Sequence, residues 1–530
     1  MRITSKVIQN NSLSNINTNK ILQDKLNNQM STEKKINRPS DDPVIAIRAL
    51  RLRTNVSQVT QYYEKNIPDA DSWMKITEDA ITTVSSVVTD MIEQCTKGAN
   101  EKLTSTDRQT ILDELTQLRD EVYATGNADY AGRGVFTGYR TDSTLKFTEE
   151  PKDLSYSITE QLHKTDIDDI TYIATDKLNT INSTNFTDAD HNGIEEQAVT
   201  STTVHRMQLA YDNVDAANVT IEIYNDAFDP TQEESATNKK YDVAYTATPT
   251  SLYDTPSPYE NVGANDVILV KETGELLLGE DAYTKLMATK DDAATSTIDE
   301  GEIRITYNKG SWEKNDLKPE HYFKCESTDS STTPATTITY NEKYLEGFAE
   351  KQSIEYDVGL NQAIRVNTTA DEVFKHSIGR DVDDLISCMQ EVVDMEKTVS
   401  ILEKMKTDTT ADYSDAQKAT INDQLDAANK ALTLLKEKSQ KLFESGITKM
   451  QDHLSDVNYA TTTCGTRRKK LELIENRLMS QKTNFETLQS DNENADLTDV
   501  AIQLSGAELT YQAALMATGK ILQTSLMNYI

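Results

Sequence analysis

Three kinds of cluster in this 530-residue chain hold residue types that could do chemistry. Gly132, Gly134 and Gly138, within Gly132-Arg133-Gly134-Val135-Phe136-Thr137-Gly138, could cradle a phosphate, because glycine lets backbone N–H groups approach an anion. No Lys-Ser or Lys-Thr pair follows and no helix pattern opens there, so the stretch reads as a β-turn. The carboxylate pairs Asp168-Asp169, Asp291-Asp292 and Asp299-Glu300 could bind calcium or divide acid and base roles. None has the Asp-x-Asp-x-Asp-Gly spacing of a calcium loop, and an acidic surface accounts for them. Arg467-Arg468-Lys469-Lys470 could grip a nucleic-acid backbone. It enters a helix that continues with Glu472 and Glu475, which suits salt bridges better. The histidines (His163, His191, His205, His321, His376, His453) and cysteines (Cys95, Cys325, Cys388, Cys464) stand apart, with neither HExxH nor CxxC among them. Trp73 and Trp312 read as core anchors. The expectation is no catalytic residue, no metal and no cofactor.

With no chemical centre to position, the informative residues are those that repeat. From Leu497 the positions Leu497, Val500, Leu504, Ala507, Tyr511, Ala514, Thr518 and Ile521 step by three and four, with Leu515, Leu522 and Leu526 widening the stripe. At the other end Ile3, Val7, Leu13, Ile16, Leu22, Leu26 and Met30 recur at roughly helical spacing among Asn, Gln, Ser and Lys. Two apolar side chains per heptad contribute about 3 to 6 kcal/mol when buried. Ordering seven backbones costs on the order of 7 to 14 kcal/mol before helix hydrogen bonds. One stripe cannot hold such a helix, so both ends are expected to order against each other and against neighbouring copies.

Between the ends, Asn37-Arg38-Pro39-Ser40-Asp41-Asp42-Pro43 marks a turn, with Asp42 placed to cap a new helix and Pro43 in its first turn. Helix is expected through Ala46, Leu50, Val56 and Val59, then from Ala70 to Cys95 and from Thr106 to Tyr123. Residues 126 to 147 carry a turn-rich hairpin signature. Short alternating runs at Val219–Tyr224, Val267–Val270 and Glu302–Tyr307 predict strands in a Thr-, Ser- and Asp-rich insertion. After a strand and turn at Ile354–Gly359, helical stripes return: Val382, Leu385, Met389, Val392 and Val399; Ile421, Leu425, Ala428, Leu432 and Leu435; Leu471, Ile474, Leu478, Phe485 and Leu488.

Hydrophobic residues make up 37% and the mean hydropathy is −0.61, low for one large core and suited to an elongated molecule. No apolar run approaches membrane-spanning length, and residues 1–30 lack a continuous apolar signal segment and a small-residue cleavage site. On these grounds alone the chain would be cytosolic. The net charge of −33 is unevenly spread: counting basic against acidic residues gives +6 for 1–60, −7 for 61–145, −24 for 146–350 and −8 for 351–530. Such acidity repels nucleic acid and anionic membranes. The basic start and Asp491, Glu493, Asp496 and Asp499 near the end would attract one another weakly.

The ordered motifs at both ends resemble the bacterial flagellin superfamily, and within it the hook-associated junction proteins. They are the opening Met-Arg-Ile-Thr, Ile36 to Pro43, Trp73 with Thr77-Glu78-Asp79-Ala80, Gly98-Ala99-Asn100 and Gly132 to Gly138. On the C-terminal side come Val366-Asn367 with Val373-Phe374, Gly465-Thr466-Arg467 with Leu471-Glu472, Asn476-Arg477-Leu478 and Leu526-Met527-Asn528-Tyr529-Ile530. The resemblance covers roughly the first 150 and last 180 residues. Filament flagellin is the nearest alternative; the Ser-Asp-Asp-Pro turn and the final Asn-Tyr-Ile look more like the junction group. Gly134 stands where that group usually has an aromatic.

The resemblance implies a mainly α, elongated protein, its terminal helices packed side by side as a coiled coil or bundle around a β-rich insertion. The segments would be 1–45 and 491–530 as inner helices, 46–147 and 351–490 as the two halves of a helical core, and 148–350 as a variable outer domain. It also implies unfolded export without a cleaved signal, a chaperone on the C-terminal helix, a ring of copies between a neighbouring hook-associated protein and flagellin, and an extracellular location in the flagellum. The assembly residues would be Ile3, Val7, Leu13, Ile16, Leu22, Leu26, Leu497, Val500, Leu504, Tyr511, Leu515, Ile521, Leu522 and Leu526. An enzyme or adhesin on residues 148–350 is the remaining alternative.

Overall fold

The computed structural model describes residues 5–175, 177–217, 219–229, 231–291, 300–346, 352–411 and 413–527. The helices are α1 (Ser5–Thr32), α2 (Pro43–Gln61), α3 (Ile67–Gly98), α4 (Ser105–Thr125), α5 (Glu280–Met287), α6 (Ala370–Val373), α7 (His376–Thr407), α8 (Asp415–Glu493) and α9 (Leu497–Met527). The strands are β1 (Asp129–Tyr130), β2 (Arg133–Gly134), β3 (Leu154–His163), β4 (Ile167–Ile173), β5 (Ser201–Gln208), β6 (Val219–Tyr224) and β7 (Tyr241–Thr250). They continue with β8 (Val267–Val270), β9 (Glu275–Leu278), β10 (Glu302–Lys309), β11 (Lys324–Asp329), β12 (Thr336–Tyr340), β13 (Glu355–Gly359) and β14 (Gln362–Arg365). The mainly α architecture with a β-rich insertion is as the sequence predicts. Two compact units form, one from Met1–Asp71, Tyr356–Ile364 and Arg468–Ile530, the other from Ser72–Glu355 and Arg365–Arg467.

In the first unit Asp42 caps α2 as expected: its Oδ1 accepts the N–H groups of Val44 at 2.9 Å and Ile45 at 3.2 Å, with Pro43 opening the helix. Helix does not pause near Val59. A π-turn over Tyr62–Asn66 joins α2 to α3. Pro68 explains the wide turn, since in a regular α-helix its ring would press on the carbonyl of Glu64. On α8 Leu471, Ile474 and Leu478 are buried, but Phe485 is only half-buried and Leu488 is exposed, so that stripe ends sooner than its heptad suggests.

The second unit holds a ten-stranded sheet in the order β12-β11-β3-β10-β6-β7-β8-β9-β5-β4, antiparallel except for β7 beside β8. The strands foreseen at Val219, Val267 and Glu302 are β6, β8 and β10. Alternate residues of β3 and β10 turn inward, Tyr156 and Ile158 on one, Ile303, Ile305 and Tyr307 on the other. Between β4 and β5 an irregular segment, read from sequence as part of the β insertion, packs onto helices instead. Its Leu178, Ile181, Phe186 and Ile194 share a core with Val392, Met395 and Leu402 of α7 and Ile421, Leu425 and Leu435 of α8. Gln424 Nε2 fastens it by donating to the carbonyls of Phe186 at 2.7 Å and His191 at 2.9 Å.

Glu160 on β3 faces Ile305 of β10 and is buried. Its carboxyl accepts the Tyr307 hydroxyl and the Ala210 N–H at 3.0 Å. Burial outweighs these bonds and pushes its pKa up to about 7. A folded-state pKa above the ordinary glutamate value means the contribution is complete below that value and fades as pH rises through about 7. The unit is expected to lose on the order of 2 to 3 kcal/mol between mildly acidic and alkaline pH. Urea midpoints across that range should fall, and Glu160→Gln should flatten the slope; an unchanged slope would refute this assignment.

Candidate assembly interface

The clusters that could do chemistry resolve into structural contacts. Residues 129–134 form the β1–β2 hairpin, turning through Ala131 (φ 53°) and Gly132 (φ 77°), the left-handed pair such a tight turn requires. Gly138 takes φ 62°, a left-handed conformation that residues with a Cβ rarely adopt. Asp168 pairs with Arg206 at 2.8 Å, and Asp169 with His205 at 2.6 Å. Asp291 accepts the Glu300 N–H at 2.7 Å, while Asp292 and Asp299 lie outside the described residues. Arg467 donates to the Asn367 carbonyl at 2.9 Å, Arg468 to Asp71 at 3.1 Å and Lys469 to Glu472 at 2.6 Å. Trp73 and Trp312 are buried; Tyr130 meets the Trp73 ring edge-on, and Arg133 lies over that ring.

The terminal helices form the candidate interface. In the first unit α1 and α9 lie antiparallel, with Leu26, Val500 and Ala507 at the centre of their contact and Leu504 beside them. The α9 stripe forms as its heptad predicts: Val500 and Ala507 are buried, and Leu504, Tyr511, Ala514 and Thr518 half-buried. Leu497 and Leu515 are exposed. On α1 the single apolar stripe does not form. Its covered positions are Gln9, Ser12, Ile16, Asn19, Gln23, Leu26 and Gln29, while Val7, Leu13, Leu22 and Met30 are exposed. The reason is angular: at 100° per residue Val7, Leu13, Ile16, Leu22 and Leu26 spread around the helix instead of sharing a face. Ile3 lies outside the described residues, as do the side chains of Ile521, Leu522 and Leu526.

The outward side carries more apolar surface than the sequence pattern suggests. Ile502, Leu509 and Met516 are exposed and recur every seven residues on α9. On α2, Val44, Ile47 and Leu50 are exposed while Ala46 and Ala49 turn inward. Leu50, which shares the predicted stripe with Ala46, sits at the edge of that face and is exposed. The sequence signal for the exposed α9 row is a second heptad beginning at Ile502, masked by the stronger stripe two positions away.

A clasp fixes where α1 and α9 meet. Lys35 N–H donates to the Glu493 carbonyl at 2.8 Å and Ala495 N–H to the Glu33 carbonyl at 2.9 Å, Glu33 taking φ 58° to make the turn. Arg53 grips the Glu493 carboxylate with Nε at 2.7 Å and Nη2 at 2.6 Å. That guanidinium holds the Glu493 carboxyl below the ordinary glutamate range. Its stabilisation is therefore present above that range and is lost as pH falls through it. Because Arg53 is largely exposed, Glu493→Gln is expected to cost only about 1 to 2 kcal/mol. Hydrogen exchange at the Lys35 and Ala495 amides should quicken by roughly five- to thirtyfold; unchanged protection would show that the two backbone bonds suffice.

Residues 3–141 match the description "Bacterial flagellin N-terminal helical region". Over 144 residues the chain is 29% identical to flagellar hook-associated protein 3 of Salmonella typhimurium, a stretch that is 27% of this chain and 45% of that protein. Against the protein of the same name from Escherichia coli K12 it is 28% identical over 151 residues, 28% of this chain and 47% of the relative. Flagellin of Clostridium tyrobutyricum is 30% identical over 122 residues, 23% of this chain and 32% of the relative. The chain thus spans less than half the length of these curated relatives. Helices α1 and α2 of the candidate interface fall inside the matched stretch, and over that stretch the chain is similar to the N-terminal helical region of bacterial flagellins and to flagellar hook-associated protein 3.

Proposed function

We propose that this chain is a structural subunit of the bacterial flagellum that joins the hook to the filament. The similarity to hook-associated protein 3 carries the reading. The exposed apolar residues of α1, α2 and α9 support a mechanism in which neighbouring copies cover them as the terminal helices settle. The assembly residues are then Val7, Leu13, Leu22, Leu497 and Leu515 on open faces, with Ile16, Leu26, Val500, Leu504 and Tyr511 holding the pair within one copy. Copies form a ring outside the cell, with another hook-associated protein on one side and flagellin on the other. Before that the chain leaves the cell unfolded, its C-terminal helix held by an export chaperone. Segments 1–45 and 491–530 line the interior, 46–147 and 351–490 form the helical core, and 148–350 faces outward. Deleting the gene should leave hooks without filaments and release flagellin into the medium; filaments of normal length would overturn the reading.

A second reading, filament flagellin, is favoured by the similarity to the Clostridium tyrobutyricum protein. Antibody labelling of isolated flagella separates the two. A single band beside the hook supports the junction, and label along the whole filament supports flagellin.

A further inference from the structure

We propose that β12 is a docking edge for the β12 strand of a second copy of this chain, the two pairing antiparallel about Ile338. Among the described residues the strand ends the ten-stranded sheet, bonded to β11 on one side only. Alternate N–H and C=O groups of such a strand point away from the sheet with no ladder partner. Natural edges are usually blunted by charge, proline or a bulge. Thr336-Thr337-Ile338-Thr339-Tyr340 has none of these: five β-favouring residues, no charge, and an unbroken register from Cys325↔Tyr340 to Asp329↔Thr336. The opposite edge, β4, is blunted, since it carries Asp168 and Asp169.

Side-chain exposure points the same way. Ile338 lies opposite Ser327, and Tyr340 opposite Cys325, so all four share one face of the sheet. On that face Cys325 and Ser327 are buried, yet Ile338 remains 47% exposed. One more strand would cover it.

A second copy fits this edge for two reasons. Copies with a net charge of −33 repel, and a strand that carries no acidic residue, with the Arg140 guanidinium 3.9 Å over its Tyr340 ring, is where they can meet with least penalty. Antiparallel pairing about Ile338 is also self-complementary: Ile338 meets its counterpart, Thr337 meets Thr339 and Thr336 meets Tyr340. These are β-branched and aromatic cross-strand pairs in an isologous contact. The proposal does not depend on the terminal helices.

The register makes the test specific. All four native cysteines are free and buried, so Ile338→Cys introduces a single exposed thiol. Directly paired residues lie about 4.5 to 5.5 Å apart at Cα, within disulfide reach. Under mild oxidation the full-length Ile338→Cys protein should become mostly covalent dimer. Thr337→Cys alone should give less than about a tenth as much, and mixing Thr337→Cys with Thr339→Cys should restore the yield, as a two-fold register demands. Ile502→Asp and Leu509→Asp in the same chain keep helix-mediated association out of the readout. Ile338→Cys remaining monomeric, or Thr337→Cys dimerising equally well, would overturn the proposal and leave the edge to a different strand or to none.

Discussion

Replacing Arg206 with methionine should destabilise the second unit by about 3 to 5 kcal/mol, the cost of removing one partner from a buried ionic cluster. Arg206 on β5 is buried and holds three carboxylates at once. Nε and Nη2 donate to Asp168 at 3.0 and 2.8 Å, Nη1 to Glu275 at 2.7 Å, and Nη1 and Nη2 to Asp384 at 3.1 and 2.7 Å. These acceptors come from β4, β9 and α7, so one guanidinium ties three strands to a helix. Without it the buried Glu275 and the half-buried Asp384 would lack their counter-charge, and would ionise only at the expense of the fold. Their folded-state pKa values would then rise, so the variant should recover stability as pH falls and lose it as pH rises. Arg206→Lys should fall between, because a point charge cannot serve three forks together. Urea unfolding measures all three proteins; a loss below about 1 kcal/mol for Arg206→Met would mean that the carboxylates find water or new partners.

The second large effect concerns association instead of folding. Ile502→Asp with Leu509→Asp should leave the α1–α9 pair intact and abolish assembly. Both side chains are exposed, 67% and 70%, on the side of α9 away from Val500 and Ala507. If a neighbouring copy buries them, each contributes about 1.5 to 3 kcal/mol. Losing both weakens the contact by roughly two to four orders of magnitude before any cost of burying carboxylates. Circular dichroism should show helix content unchanged, while sedimentation of polymerised material should lose the pelleting fraction. Pelleting at the level of the unaltered protein would move the contact to another face.

These two sites show what the residue pattern made legible and what it did not. The α9 stripe, the Asp42-Pro43 helix start and the strands at Val219, Val267 and Glu302 announced themselves because each rests on local periodicity or a local cap. The Arg206 cluster did not: its members lie at 168, 206, 275 and 384, joined only once the chain has folded. The segment from Leu178 to Ile194 was also opaque, since irregular backbone has no period even where its side chains enter a core. On α1 apolar residues do not mark the covered face, which is mostly amide and hydroxyl. Of the interface, the inward stripe of α9 is legible in the sequence, while the outward heptad at Ile502, Leu509 and Met516 is masked by that stronger stripe.

That α1 face has one more consequence. The covered positions Gln9, Ser12, Ile16, Asn19, Gln23 and Leu26 of α1 and Val500, Leu504, Ala507, Tyr511, Ala514 and Thr518 of α9 include no Lys, Arg, His, Asp or Glu. A coiled coil tuned by ion pairs tightens or slackens with the salt around it. Along these two rows there is no such dependence: salt should slacken the Arg53–Glu493 clasp and leave the grip of the rows themselves the same in fresh water and in brine.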